Sequence, residues 1–433
     1  MPTLERRSFM ISAAALASSA AWPEGALNAS PANEIYWARI ADDFKVEQTP
    51  VPFENGNWGV MSRPVLRRYL ALTEMVNQRN TVYARGEYPA DMEQVRSRVA
   101  GVLGVDTDEI ALTRNATEAL QALIAGYGRL SPGDEVLIAD LDYPAMQDAM
   151  RWLQRERGVG LVSINLPEPA TWQGLIDAYE SALTRHPRVR LMLLTHVGHR
   201  TGLIMPVREI VEMARGRGVD CIVDSAHAFG QLEVKIPDIG ADFVGFNLHK
   251  WFGAPIGCGG LYVAKRRFDA MRPHMSGDAG LQDLRALVHA GTANFAAVLA
   301  VPAALDYRAS IGGRAIEARL RFLRRRWVDE LREAPGVEVL DSPDPRLYAG
   351  IGALRFASRT AEREYARLAK RLLTDYGVMT VHRGGAAAGA VIRVTPGIFT
   401  RAAHVDRLVY AVKALARAEA EARAVEPSAQ GSI

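Results

Sequence analysis

From Ile110 onward, short apolar runs alternate with longer stretches in which apolar residues recur every three or four positions. The runs are Ile110–Thr113, Glu135–Ala139, Leu161–Leu166, Leu191–Leu194, Cys221–Val223, Phe243–Phe246 and Leu261–Ala264. Ala116–Tyr127, Tyr143–Arg155, Trp172–Thr184 and Val207–Arg217 fill most of the gaps with helical period. Short apolar runs joined through helices predict an α/β fold: a mainly parallel seven-stranded sheet covered by helices on both faces. Upstream, Ile35–Val51 reads as an N-terminal arm, and Leu66–Gln78 and Asp91–Leu103 as helices. Near Ser310–Gly313 the alternation stops. A long helix over Arg314–Glu333 then leads into strands near Val337–Leu340, Gly352–Phe356, Val378–His382 and Val391–Val394, with a helix over Ala361–Asp375. Ala403–Ala424 closes as a helix. The predicted organisation is an arm (31–60), a large domain (61–310), a smaller α+β C-terminal domain (311–424) and a tail (425–433).

Composition narrows the function rather than the fold. With 433 residues, 48% hydrophobic and 23% charged, the chain has ample material for a large core and a second domain. A dispersed net charge of +3 gives no basis for nucleic-acid binding. The densest cationic run, Arg319 to Arg326, interleaves with Leu320, Leu323 and Trp327 at helical spacing, so it reads as the wet face of an amphipathic helix. Cys221 and Cys258 lie in apolar or glycine-rich surroundings, and no Cys/His spacing suits a metal. At the N-terminus, Arg6-Arg7 abuts an uncharged, weakly apolar stretch up to Ala21. Residues 1–30 therefore read as a twin-arginine (Tat) signal peptide, too short to span a bilayer. That reading implies handling by the Tat export machinery, a periplasmic location and no integral membrane segment.

Candidate chemistry lies where the apolar runs end, because ligands of doubly wound sheets bind beyond the carboxyl ends of the strands. After Thr113, Asn115-Ala116-Thr117 opens a helix whose free N–H groups suit a phosphate. Tyr143 offers an aromatic face after Ala139, and His196 and His199 share the turn after Leu194. Asp224 directly ends an apolar run and needs a cationic or N–H partner, for which a pyridinium nitrogen would serve; His227 follows three residues on. Lys250 follows Phe243–Phe246 and is, of only six lysines, the one in an apolar, aromatic context. There an ammonium is costly unless paired or chemically used, as in a Schiff base. A phosphate cradle, a stacking face, an acid and a lysine together meet the needs of pyridoxal 5'-phosphate.

Asp224-Ser225-Ala226-His227, followed by Asn247-Leu248-His249-Lys250, resembles the class V aminotransferase family of pyridoxal-phosphate enzymes over roughly residues 55 to 400. The resemblance implies fold type I, with Lys250 as the Schiff-base lysine and proton shuttle, Asp224 on the pyridine nitrogen and Tyr143 stacked on the ring. It places His227 and, as a weaker match, His199 near the phenolic oxygen, and Ala116, Thr117, Asn247 and His249 around the phosphate. Thr292, in Gly291-Thr292-Ala293-Asn294, is implied to reach the partner's phosphate, hence a homodimer with shared active sites. Arg393 is implied to clamp a substrate carboxylate. The stretch Val381–Gly389, where the family's cysteine desulfurases carry their nucleophile, contains no sulfur, so persulfide chemistry by that route is not expected. Tyr143 leans toward the epimerase-like branch. Leader plus fold resembles the exported, pyoverdine-modifying members, which implies a small-molecule or peptide-borne amine as substrate. The expected activity is transamination or related α-carbon chemistry; the alternatives are an epimerase-like racemase, a C–S lyase, or a catalytically idle cofactor-fold scaffold.

Overall fold

The structure, a computed structural model, describes residues 29–273, 283–288, 291–357 and 361–425, so the leader and the tail lie almost wholly outside the described residues. The arm holds α1 (Glu34–Asp42) and β1 (Val51–Pro52). Then come α2 (Arg63–Arg85), α3 (Tyr88–Leu103), β2 (Ile110–Thr113), α4 (Ala116–Gly126), β3 (Glu135–Ala139), α5 (Pro144–Arg157), β4 (Gly160–Ile164) and α6 (Trp172–Arg185). The large domain continues with β5 (Val189–Thr195), α7 (Val207–Gly216), β6 (Asp220–Asp224), α8 (Ile236–Ile239), β7 (Phe243–Asn247), β8 (Gly259–Val263), α9 (Phe295–Leu299) and α10 (Val301–Ile311). Gly312, at φ 95°, ends that alternation in a conformation few other residues adopt. Beyond it lie α11 (Gly313–Leu331), β9 (Val337–Leu340), β10 (Gly352–Phe356), α12 (Glu362–Tyr376), β11 (Val378–Met379), β12 (Val381–Arg383), β13 (Val391–Val394) and α13 (Ala402–Val425).

The large sheet has seven strands in the order β2-β8-β7-β6-β5-β3-β4. All pairings are parallel except those of β8, which runs antiparallel to both β2 and β7. Successive residues of each strand point to opposite faces, and the core divides accordingly. Val136, Ile138, Leu193, Ile222 and Phe243 pack with α4 and α5, while Leu137, Met192, Leu194, Val223 and Val244 pack with α6, α7 and α10 on the other side. Gly245 lets α4 close on the sheet, since a Cβ there would lie 2.6 Å from the Leu120 side chain. The predicted α/β architecture is thus present, strand for strand.

The small domain differs from expectation in three ways. Val378–His382 is two strands, not one: β11 pairs with β1 of the arm, and β12 joins the four-stranded sheet β12-β13-β10-β9. Residues 51–55 of the arm consequently belong to the small domain, with Val51 and Phe53 buried in its core beside Trp327, Leu354 and Val405. The cationic run is also not uniformly wet. Arg319 is fully buried, donating to Glu34, the Pro31 carbonyl and the Thr400 carbonyl, and Arg324 is buried against Asp341 and the Leu340 carbonyl. A helical wheel marks these positions as polar, yet a guanidinium is readily buried where carbonyls and carboxylates meet its fork. Ile316 and Leu320 of α11 pack in the large domain's core, whereas Leu323, Trp327 and Leu331 pack in the small domain's core, so one helix joins both.

Candidate active site

The carboxyl ends of β2, β3, β5, β6 and β7 converge on a cavity of about 540 Å³ whose far wall is the small domain. Each strand end presents a polar group because the strand itself is apolar and the chain must then turn into a helix. At the first, Asn115 caps α4 by accepting from the Glu118 N–H at 2.9 Å. The Ala116 N–H donates to Asn247 Oδ1 at 2.9 Å, tying β7 to the helix N-terminus. That bond spends the Ala116 donor, so Thr117 and the Asn247 amide are the groups left facing the cavity at this end. His249 donates Nδ1–H to the Cys258 carbonyl at 2.7 Å, since a carbonyl only accepts; its Nε2 is the free position.

Lys250 lines the floor. Burial brings its pKa down to about 8, against the pull of Asp224. Its Nζ is 3.1 Å from His227 Nε2, and the Trp251 indole N–H donates to His227 Nδ1 at 3.3 Å. Burial, with Lys250 adding to it, holds the His227 pKa well below its ordinary value, so the ring is neutral. With Nδ1 occupied as an acceptor, the ring proton sits on Nε2, aimed at the lysine nitrogen. Asp224 accepts from the Ala226 N–H at 2.9 Å, and burial raises its pKa. A cation or N–H placed against it would restore the carboxylate.

Tyr143 sits at the N-terminus of α5, half-exposed, with its ring edge-on to His199 at 5.0 Å. His199 is buried, its pKa pushed well down by burial and by Arg200, and its Nδ1 has no partner. His196 is buried beneath the turn, 3.4 Å from the Ser225 hydroxyl, with burial pushing its pKa to about 4, and does not line the cavity. Thr292 is exposed and outside this chain's cavity.

Several residues in or around the cavity, Arg200 on its wall and Asp142 and Glu54 outside its lining, carried no clear signal in the sequence. Asp142 is buried, accepts from the Ala139 N–H at 2.7 Å and the Thr195 hydroxyl at 2.6 Å, and is pushed up to about 7 by burial, with Asp224 adding to it. Arg200 is spent on the Gly384, Asp140 and Asp142 carbonyls, bracing the small domain against the large one. Arg383 and Arg393 project from β12 and β13, and Glu54 reaches Arg393 from the arm. A sequence signal existed for Arg383, which stands in the cysteine-free stretch, but none for Glu54.

The fit to pyridoxal phosphate rests on an unpartnered buried imidazole nitrogen at His199, a buried carboxylate wanting a cation, a buried lysine of lowered pKa, and a helix N-terminus at one end of one cleft. Fold and cleft together define a pyridoxal-phosphate enzyme of fold type I. The model of the family "Aminotransferase class-V" matches residues 64–408, and the chain belongs to that family. It is 30% identical over 397 residues to an isopenicillin N epimerase of Streptomyces clavuligerus, covering 88% of this chain and 98% of that protein. It is 31% identical over 271 residues to a probable cysteine desulfurase of Methanothermobacter thermautotrophicus, covering 59% and 65% of the two chains. Among solved structures, a cysteine desulfurase from Thermococcus onnurineus aligns with TM-score 0.74 at 20% identity, over 88% of this chain and 98% of that one. C-DES, solved with glycine covalently linked to its PLP cofactor, aligns with TM-score 0.70 at 22% identity, over 84% and 95%. These two likenesses concern the fold.

Proposed function

We propose that the chain, exported by the Tat route and working in the periplasm as a homodimer, acts on an amino-acid or peptide-borne amine by labilising a bond at its α-carbon. The observation that carries this reading is that Lys250, just beyond β7, and Arg393, on β13, line one cleft, a base and a carboxylate clamp bordering the same volume. In that reading Lys250 holds the cofactor's aldehyde carbon and later moves the α-proton, Asp224 faces the pyridine nitrogen, and Tyr143 covers the ring. His227 and His199 serve the phenolic oxygen. Thr117, the Asn247 amide and His249 Nε2 hold the phosphate, with Thr292 of each subunit completing the other's site. The bound cofactor supplies an electron sink for the pair left on the substrate carbon. His227, neutral and fixed in its tautomer by Trp251, keeps a proton directed at Lys250 Nζ, where it favours the amine that acts as base.

Transamination is the first expectation, and the cysteine-free stretch Val381–Gly389 argues against a persulfide-forming desulfurase. Racemisation is the second reading; it is favoured by the near full-length similarity to an isopenicillin N epimerase. The purified protein is expected to show the visible band of lysine-bound cofactor, and Lys250→Ala to lose it. A panel of amino acids then separates the reactions: pyridoxamine phosphate accumulates in transamination, whereas α-deuterium enters from heavy water with the cofactor unchanged in racemisation. Persulfide release from cysteine overturns the first reading.

A further inference from the structure

The bonding around Arg393 is incomplete in a particular way. Arg393 is buried; one terminal nitrogen donates to the His199 carbonyl at 2.7 Å, the other to Glu54 Oε1, and Nε has no partner. Glu54 Oε2 is likewise buried and unpartnered. Two fork-shaped groups able to meet through two parallel bonds therefore meet through one. Beside them, Arg383 is 3.5 Å from the same Glu54 oxygen, donates only a 3.4 Å contact to the His382 carbonyl, and has an unpartnered buried Nε of its own. One acid is shared by two guanidiniums.

The surroundings decide which group moves. The backbone on either side of Glu54 is fixed to the end of β13: the Thr395 N–H donates to the Phe53 carbonyl at 2.8 Å, and the Asn55 backbone N–H and side-chain amide donate back to the Thr395 carbonyl at 3.3 and 3.0 Å. Gly56 lies against the guanidinium so closely that a Cβ there would be 3.0 Å from its terminal nitrogen. Arg393 is therefore held by the His199 carbonyl and Gly56, whereas the Glu54 carboxylate is held by one oxygen only.

We propose that Glu54 is an exchangeable internal ligand of Arg393: an incoming substrate carboxylate takes the Nε and terminal-nitrogen edge of Arg393, and Glu54 passes to Arg383. This rests on Arg393 being the carboxylate clamp. Before exchange one acid serves two guanidiniums; afterwards each has its own, and the unpartnered Arg393 nitrogen gains an oxygen. An amine without a carboxylate has nothing to exchange and leaves the clamp closed by Glu54, so the site selects for carboxylates by substitution rather than by vacancy.

The test titrates holoenzyme with amine-free carboxylates, propionate and succinate, followed by the visible cofactor band and by calorimetry. Glu54→Gln is expected to bind propionate roughly tenfold tighter than wild type, and Arg383→Ala roughly tenfold weaker. The double variant Glu54→Gln/Arg383→Ala is expected to return to the Glu54→Gln value, because no displaced acid then needs a partner. Glu54→Ala carries the same expectation if Glu54→Gln does not fold. Unchanged or weaker binding by the Glu54 variants overturns the exchange, as does a double variant as weak as Arg383→Ala. A preference for succinate over propionate that disappears with Arg383→Ala also overturns it, since Arg383 would then bind a second carboxylate directly. Arg393→Gln separates the two readings: loss of propionate binding with the cofactor band intact upholds the clamp, whereas retention removes the clamp and the exchange together.

Discussion

Lys250 shows how far a single residue's environment sets its chemistry. Unfolded, it keeps its proton to about its ordinary pKa of 10.5; in the folded chain without cofactor, burial lowers this to about 8. Between those values the unfolded state binds more protons, so folding stability rises with pH across that window. The gain is about 1.4 kcal/mol for each pH unit of the window, roughly 3 kcal/mol in all. Urea denaturation of the cofactor-free protein is expected to show this rise from pH 8 to 10.5, and the difference between wild type and Lys250→Met to contain it. A difference that is flat with pH would mean the amine is not desolvated. Trp251 acts on the same chemistry through His227. Replacing it with Phe removes the donor to Nδ1 and frees the ring tautomer, so kcat is expected to fall roughly tenfold with KM little changed. Lys250 and Asp224 were legible in the sequence because a charged residue in an apolar run is anomalous on its face. Trp251 was not: indoles commonly pack, and only the 3.3 Å contact gives this one a directional role.

At the scale of elements, the site depends on how closely two loops approach. The Gly59 N–H donates to the His249 carbonyl at 2.7 Å, and a Cβ on Gly59 would lie 1.8 Å from the Lys250 carbonyl oxygen. Gly59→Ala is thus expected to push the lysine loop away from the arm and to weaken cofactor retention at least tenfold, measured by the visible band after dialysis. Gly101→Ala, where no atom lies within 4 Å of the added carbon, is the control and should leave retention unchanged. The strands themselves were readable, since runs apolar on both faces have few alternatives to a covered sheet. Boundaries inside the small domain were less so, because β11 and β12 are short and their separation depends on which partner strand each finds. The arm's assignment failed for the same reason. Nothing in Val51–Phe53 says that its hydrogen bonds go to the end of α12 and to β11, more than three hundred residues later.

Across the whole molecule, α11 and its buried arginine hold the two domains in the relation that forms the cleft. Arg319 ties α11 to α1 through Glu34, to the arm through Pro31, and to the segment before α13 through Thr400. Arg319→Met leaves two carbonyls without a donor, so a loss of about 2 to 4 kcal/mol is expected in urea melts, with cofactor affinity falling alongside. The proposed export is likewise tested on the whole chain. Arg6→Lys/Arg7→Lys is expected to hold the protein in the cytoplasm with its cofactor bound, as cell fractionation would reveal. A periplasmic double variant would exclude the Tat route.

The sequence by itself determined the rhythm of strands and helices, and with it the rim on which Tyr143, Asp224, His227 and Lys250 stand, because apolar periodicity is local and each polar residue interrupts it at a fixed place. The tertiary structure alone decided which donors remain free on that rim, with Ala116 spent on Asn247 and His249 turned toward Cys258. It also decided that Glu54, from a segment the sequence leaves as an arm, stands against Arg393. Those facts are distances between residues far apart in the chain, and periodicity records only what a residue does to its neighbours.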